Sequence, residues 1–331
     1  MRYLFLFCLI AFPGTLVHSQ EKENDFKVKF DATLKTKYEF AIDEGTGRFS
    51  VRNSRIGLFG NITPNVTYRA QVELSSEGKF EPLDLNASIS LFKGFDITLG
   101  QTSVPIFNSY QTTPAQMLFA NRTFLAKYIA GTRDLGILAC YKFDVGKTPL
   151  YFQLGVFNGS TINKPVWKKT ESYSARLIIG SMKGVRASGK VYRYPLGDKE
   201  NYLITAMDLR YGQERYKIES EVLNRHNYYN GINRFASYIQ GAYSFPLTNL
   251  RLFRNFTTSV RWDGITESSV TNGFDVNRLT FGLAFGLTSK PFNSLIRLDY
   301  ENYFVKKAIP EFSLYNEVDS DKITLELLVV F

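Results

Sequence analysis

The sequence predicts an all-β protein, a transmembrane antiparallel β-barrel of about sixteen strands. Three observations predict this fold. The last ten residues alternate between apolar and mixed positions and stop on the aromatic Phe331, which is typical of the closing strand of a bacterial outer-membrane barrel. The N-terminus begins with a short apolar run of signal-peptide length. Ribbons of alternating residues, separated by turn residues, recur along the whole chain.

The N-terminal segment has the parts of a secretory signal peptide. Met1 and Arg2 give a positive start, residues 3–12 form the apolar run, and residues 17–19 offer a cleavage site. The run is too short to cross a bilayer as a helix. We expect residues 1–19 to be removed and residues 20–331 to form a single barrel domain.

The first ribbon shows the strand pattern most clearly. Apolar side chains from Val28 to Phe40 alternate with charged ones, among them Lys27, Lys29, Lys35 and Lys37. Similar ribbons follow as far as residues 323–331, and we count about sixteen, an even number in the range that single-chain barrels use. Short and long links alternate between them, as expected where short turns lie in the periplasm and long loops lie outside.

Composition agrees with a membrane barrel. Mean hydropathy is −0.16, a value that is usual for a soluble protein. A membrane barrel can have the same value, because only alternate residues of its strands face lipid. Aromatic residues make up 15% of the chain, enough to form girdles at both membrane interfaces. A soluble β-sandwich is the main alternative fold, and the signal peptide, the terminal Phe331 and the sustained one-sided charge disfavour it.

The polar faces of the ribbons carry many charges, which cost roughly 2 to 4 kcal/mol each against hydrocarbon and are therefore expected to face the lumen. So many charged groups predict a wet lumen rather than a packed core. The residues expected inside, besides the lysines of the first strand, are Arg69, Glu73, Arg176, Arg186, Lys190, Asp208, Arg210, Lys217, Glu219, Arg261, Asp263, Arg297, Asp299 and Glu301.

One link is much longer than the others. Residues 105–134 form the third loop at the long-loop end and are too apolar for a free surface loop. We expect this loop to pack inside the barrel and to bring Arg122, Lys127 and Arg133 to a constriction. The alternative is that Arg133 pairs with Asp134 and the loop merely rests on the barrel wall.

Three motifs resemble those of a known family. FSVRNSRIGLFG (49–60), LGQTSVPI (99–106) and GTRDLG (131–136) are similar to signatures of the phosphate-selective porin family, the O and P type outer-membrane porins. The resemblance implies a sixteen-stranded, commonly trimeric diffusion channel that favours anions. Arg52 and Arg55 match family arginines, whereas Asn53 replaces the second member of the usual arginine pair. By strand parity Arg52 and Arg55 lie on opposite faces, so one of them is expected outside the pore.

We therefore predict an outer-membrane porin, a passive channel for small hydrophilic solutes that prefers anions such as phosphate. The residues expected to line the pore and set its selectivity are Arg69, Arg122, Lys127, Arg133, Lys27, Lys29, Lys35 and Lys37. The formal net charge of +9 supports this preference modestly. No catalytic residue, cofactor or metal site is predicted, since after cleavage only His226 and Cys140 remain of their kinds.

Other functions stay open at this stage. The long apolar loop would also suit a plugged, structural or accessory barrel in a larger outer-membrane assembly. An enzyme is disfavoured because no nucleophile motif accompanies the one His of the exported chain. The expected partners are membrane lipid, lipopolysaccharide and small anions, with either a homotrimer or a larger complex. Nucleic acid is not expected, because basic residues alternate with acidic ones instead of forming an exposed stripe.

Overall fold

The computed structural model describes residues 27–331 except 77, 107, 109–112, 129–132, 161, 198, 249, 268–272 and 310–319. Most of the described residues belong to one antiparallel sheet of seventeen strands. The signal peptide predicted at residues 1–19 lies outside the described residues. Within them, no helix combines the length and the apolar character needed to cross a membrane.

The strands follow one another around the sheet in chain order. Their bounds are β1 (Lys27–Ala41), β2 (Thr46–Val51), β3 (Arg55–Thr63), β4 (Val66–Ser76), β5 (Lys79–Phe92), β6 (Phe95–Ser103), β7 (Arg133–Val145), β8 (Thr148–Phe157), β9 (Ser172–Gly180), β10 (Gly184–Gly197), β11 (Glu200–Gly212), β12 (Tyr216–Asn227), β13 (Asn233–Pro246), β14 (Asn255–Thr266), β15 (Val276–Gly286), β16 (Leu295–Val305) and β17 (Lys322–Val330).

Pairing between the first and last strands closes the sheet into a barrel. β1 pairs with β17 from Thr33 opposite Val330 to Ala41 opposite Lys322. β1 also pairs with both β2 and β3 on its other edge, so these two are halves of one barrel strand, interrupted at residues 52–54. The seventeen assigned strands therefore make a sixteen-stranded antiparallel barrel, which confirms the predicted fold class.

Side chains alternate between the two surfaces of the wall. In β15, Arg278 and Thr280 are buried inside, whereas Phe281 and Leu283 are exposed on the outer surface. This follows from the period of two along a strand. Among the charged residues expected inside, those of β9 and the later strands are buried apart from the half-buried Lys217, and Arg69 and Glu73 are half-buried.

The barrel has two distinct ends. Residues 104–132, 158–171 and 306–321 connect strands at one end, which we call the long-loop end. Two-residue turns such as 93–94 and 146–147 connect them at the other, the short-turn end. This division matches the predicted alternation of loop lengths.

The link between β6 and β7, residues 104–132, is called the inner loop here, because its described residues pack inside the barrel. It contains a 3-10 turn (Pro114–Gln116) and one short helix, α1 (Phe124–Tyr128). Ile106, Phe119 and Leu125 are fully buried, as predicted for a loop that packs. Arg133 and Asp134, predicted in the loop, instead begin β7, because they continue its pairing opposite Ser103 and Thr102.

One side of the lumen is a packed core. Ile106, Phe124 and Leu125 of the inner loop lie among buried, inward-facing side chains of the wall. The wall members from β10 to β15 are Tyr192, Tyr194, Ile204, Ala206, Leu223, Ala236, Tyr238, Ile265 and Val276. The prediction of a wet lumen is wrong on this side, because the inner faces of these strands also carry apolar residues that exclude water once the loop is in place.

Candidate functional site

Long basic side chains of the wall hold the backbone of the inner loop. Arg297 donates to the carbonyl of Met117 (2.9 Å), and Lys35 donates to that of Ala120 (2.6 Å). In the same way Arg261 and Arg278 donate to the carbonyls of the next two residues, Asn121 and Arg122, at 2.9 and 2.7 Å. These bonds satisfy backbone acceptors that would otherwise be buried without partners.

Carboxylates of the same strands hold the loop's backbone N–H groups. Asp299 accepts from the N–H of Ala120 (2.6 Å), and Asp263 accepts from that of Phe124 (2.9 Å). Both carboxylates are at most 1% exposed. Much of the predicted lumen charge in β14 to β17 therefore positions the loop.

These anchors also pair with one another. Arg278 forms ion pairs with Asp263 (2.8 Å) and Glu301 (3.0 Å), and its guanidinium stacks 4.5 Å from the centre of the Phe124 ring. Arg261 stacks in the same way on Phe119. Paired charges and aromatic faces together make a dry, well-bonded contact between loop and wall.

A cavity of about 110 Å³ remains between the inner loop and the β1–β3 wall, towards the long-loop end, and we call it the long-loop cavity. Five cationic side chains line it, and none of its described lining residues is acidic. The lining consists of Lys37, Arg52, Asn53, Ala120, Asn121, Arg122, Phe124, Lys127, Arg278 and Tyr303. Glu39 pairs with Lys37 (2.6 Å), and Asp263 and Glu301 pair with Arg278, but the five cations outnumber these acids and give the cavity a positive potential.

The break between β2 and β3 brings Arg52 into this cavity. Asn53 has a positive φ of 59°. The hydroxyl of Ser54 accepts from the backbone N–H of Lys35 (2.9 Å) and donates to the Lys35 carbonyl, in place of the backbone hydrogen bonds between the strands. This local turn resets the alternation of the strand. The prediction that Arg52 and Arg55 lie on opposite faces is therefore wrong, because both line interior cavities.

A second cavity, of about 210 Å³, lies towards the short-turn end, and we call it the short-turn cavity. Its lining includes Arg55, Arg69 and Arg133 but also the acidic Asp31 and Asp84. The ion pairs Arg133–Asp84 (2.8 Å) and Arg69–Asp31 (2.9 Å) balance these charges. The short-turn cavity is therefore less positive than the long-loop cavity.

A polar contact between loop and wall separates the two cavities. Arg122 of the inner loop donates to the side-chain oxygen of Asn53 (3.2 Å). The backbone N–H of Asn53 donates to the carboxylate of Glu73 (3.1 Å), which also forms an ion pair with Arg55. Burial, followed by repulsion from Arg55, lowers the pKa of Arg122 to about 9, so its guanidinium remains charged at neutral pH. The inner loop thus presents a cation where it touches the wall.

The eight predicted site residues fall into distinct groups. Lys37, Arg122 and Lys127 line the long-loop cavity, whereas Arg69 and Arg133 line the short-turn cavity. Lys35 is buried between the inner loop and Glu326 (3.1 Å) and lines neither cavity. Two lie towards the short-turn end of β1: Lys29 is exposed, with its ammonium 6.0 Å from the Phe59 ring, and the side chain of Lys27 is outside the described part of the structure.

Sequence reasoning missed two cations of the long-loop cavity. Arg52 was not assigned to the pore, because a parity argument that the strand break invalidates put Arg52 and Arg55 on opposite faces. Arg278 is absent from the residues predicted inside, although it shares the parity of the inward-facing Thr280. Following the alternation of this strand one step further towards its N-terminal end would have found it. Among the described residues, no group of three or more His, Cys, Asp or Glu side chains is arranged to hold a metal ion.

Comparisons with known proteins agree on the kind of barrel. The family model described as phosphate-selective porin O and P matches residues 26–221. The outer-membrane channel DcaP of Acinetobacter baumannii has a similar structure, with a TM-score of 0.62 at 14% identity over 95% of this chain and 99% of that one.

Two further solved structures have the same fold. The anion-selective porin from Comamonas acidovorans gives a TM-score of 0.61 at 12% identity, covering 93% of this chain and all (100%) of that one. The trimer form of OmpT from Vibrio cholerae gives 0.61 at 11% identity, covering 92% and 99%. No curated protein matches the chain in sequence.

Proposed function

Because this chain belongs to the phosphate-selective porin O and P family, it is an outer-membrane porin, and we propose that small anions cross it through the long-loop cavity and the short-turn cavity in turn. One observation carries the proposal: five cationic side chains converge on a cavity whose described lining contains no acid. Phosphate-like oxoanions are the substrates that such a lining suits best.

The long-loop cavity attracts and orients an anion. The guanidinium groups of Arg52 and Arg122 offer forked donors that match two oxygens of an oxoanion, whereas that of Arg278 is engaged with Asp263, Glu301 and the inner loop. Lys37 and Lys127 add point charges from the wall and from the loop. The apolar barrel wall and the packed inner loop around the cavity focus this field into it.

The short-turn cavity allows the anion to leave. Its arginines are balanced by Asp31 and Asp84, so an anion is held there less strongly than between Arg52 and Arg122. Conduction requires a site that attracts the ion and a path on which it does not remain bound. The order of the two cavities meets both requirements for diffusion from the outside to the periplasm.

In this proposal no chemical step takes place, so the protein is not an enzyme and needs no cofactor. The anion-selective porin from Comamonas acidovorans shares the fold and supports the assignment. A homotrimer is the proposed assembly, since one of the similar structures is a trimer form. Export by the signal peptide at residues 1–19 is part of the same proposal.

A second candidate function is a plugged, accessory barrel. The observation that favours it is the packing of the inner loop against both the wall and a turn from the opposite end. Phe292, between β15 and β16, is buried beside Leu118, Phe119 and Ala242. Among the described residues, this contact fills the lumen on the β13–β16 side, whereas the two cavities lie on the other side.

The test is single-channel conductance and reversal potential of the purified protein in planar bilayers under a salt gradient. We expect anion selectivity in the wild type and reversible block by added phosphate. Arg122→Ala and Lys127→Ala should each lower the anion-to-cation permeability ratio. Lys147→Ala, which removes an exposed cation from the turn at 146–147, is the control and should leave the ratio unchanged.

Two outcomes would overturn the proposal. A folded barrel that passes no current would favour the plugged accessory subunit. A conducting barrel whose selectivity is the same in Arg122→Ala and in Lys147→Ala would place the selectivity outside the long-loop cavity.

A further inference from the structure

A groove of about 650 Å³ lies on the outer surface of the barrel, near its short-turn end. It crosses β12 to β15 on the surface of the wall that faces away from the two interior cavities. Its lining is mainly apolar: Tyr216, Lys217, Ile218, Gly241, Ala242, Tyr243, Thr258, Ser259, Val260, Phe281, Gly282 and Leu283.

Gly241 makes the wall concave at this point. It lies on the outer surface of β13, opposite Ile218 of β12 and Val260 of β14. A Cβ atom at Gly241 would meet its nearest side-chain neighbour, Ile218 Cγ1, at 3.7 Å, an ordinary contact. The neighbouring side chains therefore stand around an empty position that a larger residue could fill without strain.

An arc of aromatic rings indicates where the groove lies along the membrane normal. Tyr216 and Tyr243 on its lining continue through Phe245 and Phe256 to Phe285, with successive ring centres 4.6 to 6.5 Å apart. Such an arc on a barrel lies at the interface between hydrocarbon and headgroups. Because short turns face the periplasm, this interface belongs to the periplasmic leaflet, and the groove opens into that leaflet's acyl chains.

The turn just beyond this arc combines apolar and basic side chains. Between β13 and β14, residues 247–254 expose Leu250 (48%) and Leu252 (64%) together with Arg251 and Arg254. Phe253 of the same turn packs on Phe285, with ring centres 5.0 Å apart. Exposed leucines beside arginines are unfavourable in water but suit the headgroup region of a membrane.

The turn and the groove lie within the reach of one lipid molecule. Arg254 is four residues before Thr258 of the groove, so the two are about 13 Å apart along the strand. That distance is close to the thickness of one hydrocarbon leaflet, roughly half of the ~30 Å bilayer core. A lipid with its headgroup at Arg254 therefore places an acyl chain in the groove.

We propose that this surface binds an anionic glycerophospholipid of the periplasmic leaflet, with one acyl chain over Gly241 and the phosphate at Arg251 and Arg254. The acyl chain follows from the position of an apolar groove in hydrocarbon, which must be filled by lipid. The anionic headgroup follows from the two arginines, because basic residues near a membrane surface attract anionic lipids. The site depends on the protein's being an outer-membrane barrel and does not depend on which solute it conducts.

The test uses the whole protein reconstituted in vesicles of equal parts phosphatidylcholine and phosphatidylglycerol. After extraction in mild detergent, native mass spectrometry counts the lipids that remain bound. We expect the wild type to retain phosphatidylglycerol in preference to phosphatidylcholine. Arg254→Ala should reduce this preference about fivefold, the effect of one cation at an anionic surface. Gly241→Leu should fill the groove and reduce retention of both lipids.

Matched controls separate the site from general effects. Gly189 is another outward-facing strand glycine with open space around its Cβ position, so Gly189→Leu should leave lipid retention unchanged. Lys147→Ala serves the same purpose for Arg254→Ala. All four variants should conduct as the wild type does, which distinguishes failure of this site from failure of the channel proposal.

Three results would overturn the proposal. One is equal retention of the two lipids by the wild type. Another is a Gly241→Leu or Arg254→Ala variant that retains lipid like its control. The third is a change of oligomeric mass in Gly241→Leu without loss of lipid, which would make a second copy of this chain the occupant of the groove.

Discussion

The two sides of the lumen use similar charged residues for different purposes. On the side of β14 to β17, Arg261, Arg278 and Arg297 are at most 3% exposed and bind carboxylates and the backbone of the inner loop. On the side of β1 to β4, Arg52 and Arg69 line cavities and remain partly exposed. A charge on the inner face of a barrel is therefore not in itself a selectivity residue. Its burial and its partners decide which role it has.

Energetics explain why the two sides respond differently to substitution. Removing one partner of a buried ion pair leaves an uncompensated charge in a poorly solvated place, which is strongly destabilising. Removing a charge that faces a hydrated cavity changes the local potential and costs little stability. Substitutions should therefore be most damaging at buried ion pairs and mildest at charges that a neighbouring acid already balances.

The strongest test is Asp263→Ala on the packed side. This carboxylate is fully buried, pairs with Arg278 and accepts from the N–H of Phe124. Its loss should lower the free energy of unfolding by about 3 to 5 kcal/mol, measured by urea titration in lipid vesicles. Asp144→Ala, which removes an exposed carboxylate from the end of β7, is the control. Equal stability of the two variants would contradict the assigned anchoring role.

A somewhat smaller loss is expected for Phe119→Ala. Phe119 is fully buried in the inner loop, and the guanidinium of Arg261 lies 4.6 Å from its ring centre. The resulting cavity and the lost stacking should cost about 3 kcal/mol in the same titration, and the loosened loop should raise conductance. Phe80→Ala, at a ring that is 76% exposed, should change neither quantity. Unchanged stability in Phe119→Ala would mean that the loop is not held by packing.

Arg52→Gln tests the cavity side. The substitution removes one of five cations from the long-loop cavity and keeps a polar side chain there. A solvated charge about 4 Å from an anion is worth ~1 kcal/mol, so the anion-to-cation permeability ratio should fall about fivefold, with little change in stability. Reversal potentials under a salt gradient measure the ratio. An unchanged ratio would remove Arg52 from the conduction path.

The smallest effect is expected for Arg69→Gln. Asp31 and Asp84 lie 2.9 and 3.7 Å from this guanidinium and already balance its charge. The permeability ratio should therefore change by less than about twofold, because a neighbouring acid offsets most of the potential of each cation. If Arg69→Gln lowers the permeability ratio as much as Arg52→Gln does, the short-turn cavity is not less positive than the long-loop cavity.

Lys37, Arg122 and Lys127, three of the five cations of the long-loop cavity, were predictable from the sequence, whereas Arg52 and Arg278 were not. Arg122 and Lys127 followed from the length and apolar character of the third long link. Arg52 did not, since one residue with positive φ at Asn53 resets the alternation on which every strand argument depends. Lys35 was assigned to the pore, whereas it holds the carbonyl of Ala120, 85 positions away in the chain. Parity predicts which surface a side chain faces but does not predict what it meets there.

The sequence by itself determined the barrel, its strand number, the inward direction of its charges and the folding of the third loop. These properties depend on the period of two along a strand and on the cost of placing charge in hydrocarbon, and both can be assessed from neighbouring residues. Only the tertiary structure shows which charged side chains face a cavity and which form the ion pairs and hydrogen bonds that hold the inner loop. That division depends on distances between β1, the inner loop and β14 to β17, because an ion pair's effect depends on burial and on partners that the linear chain does not bring together.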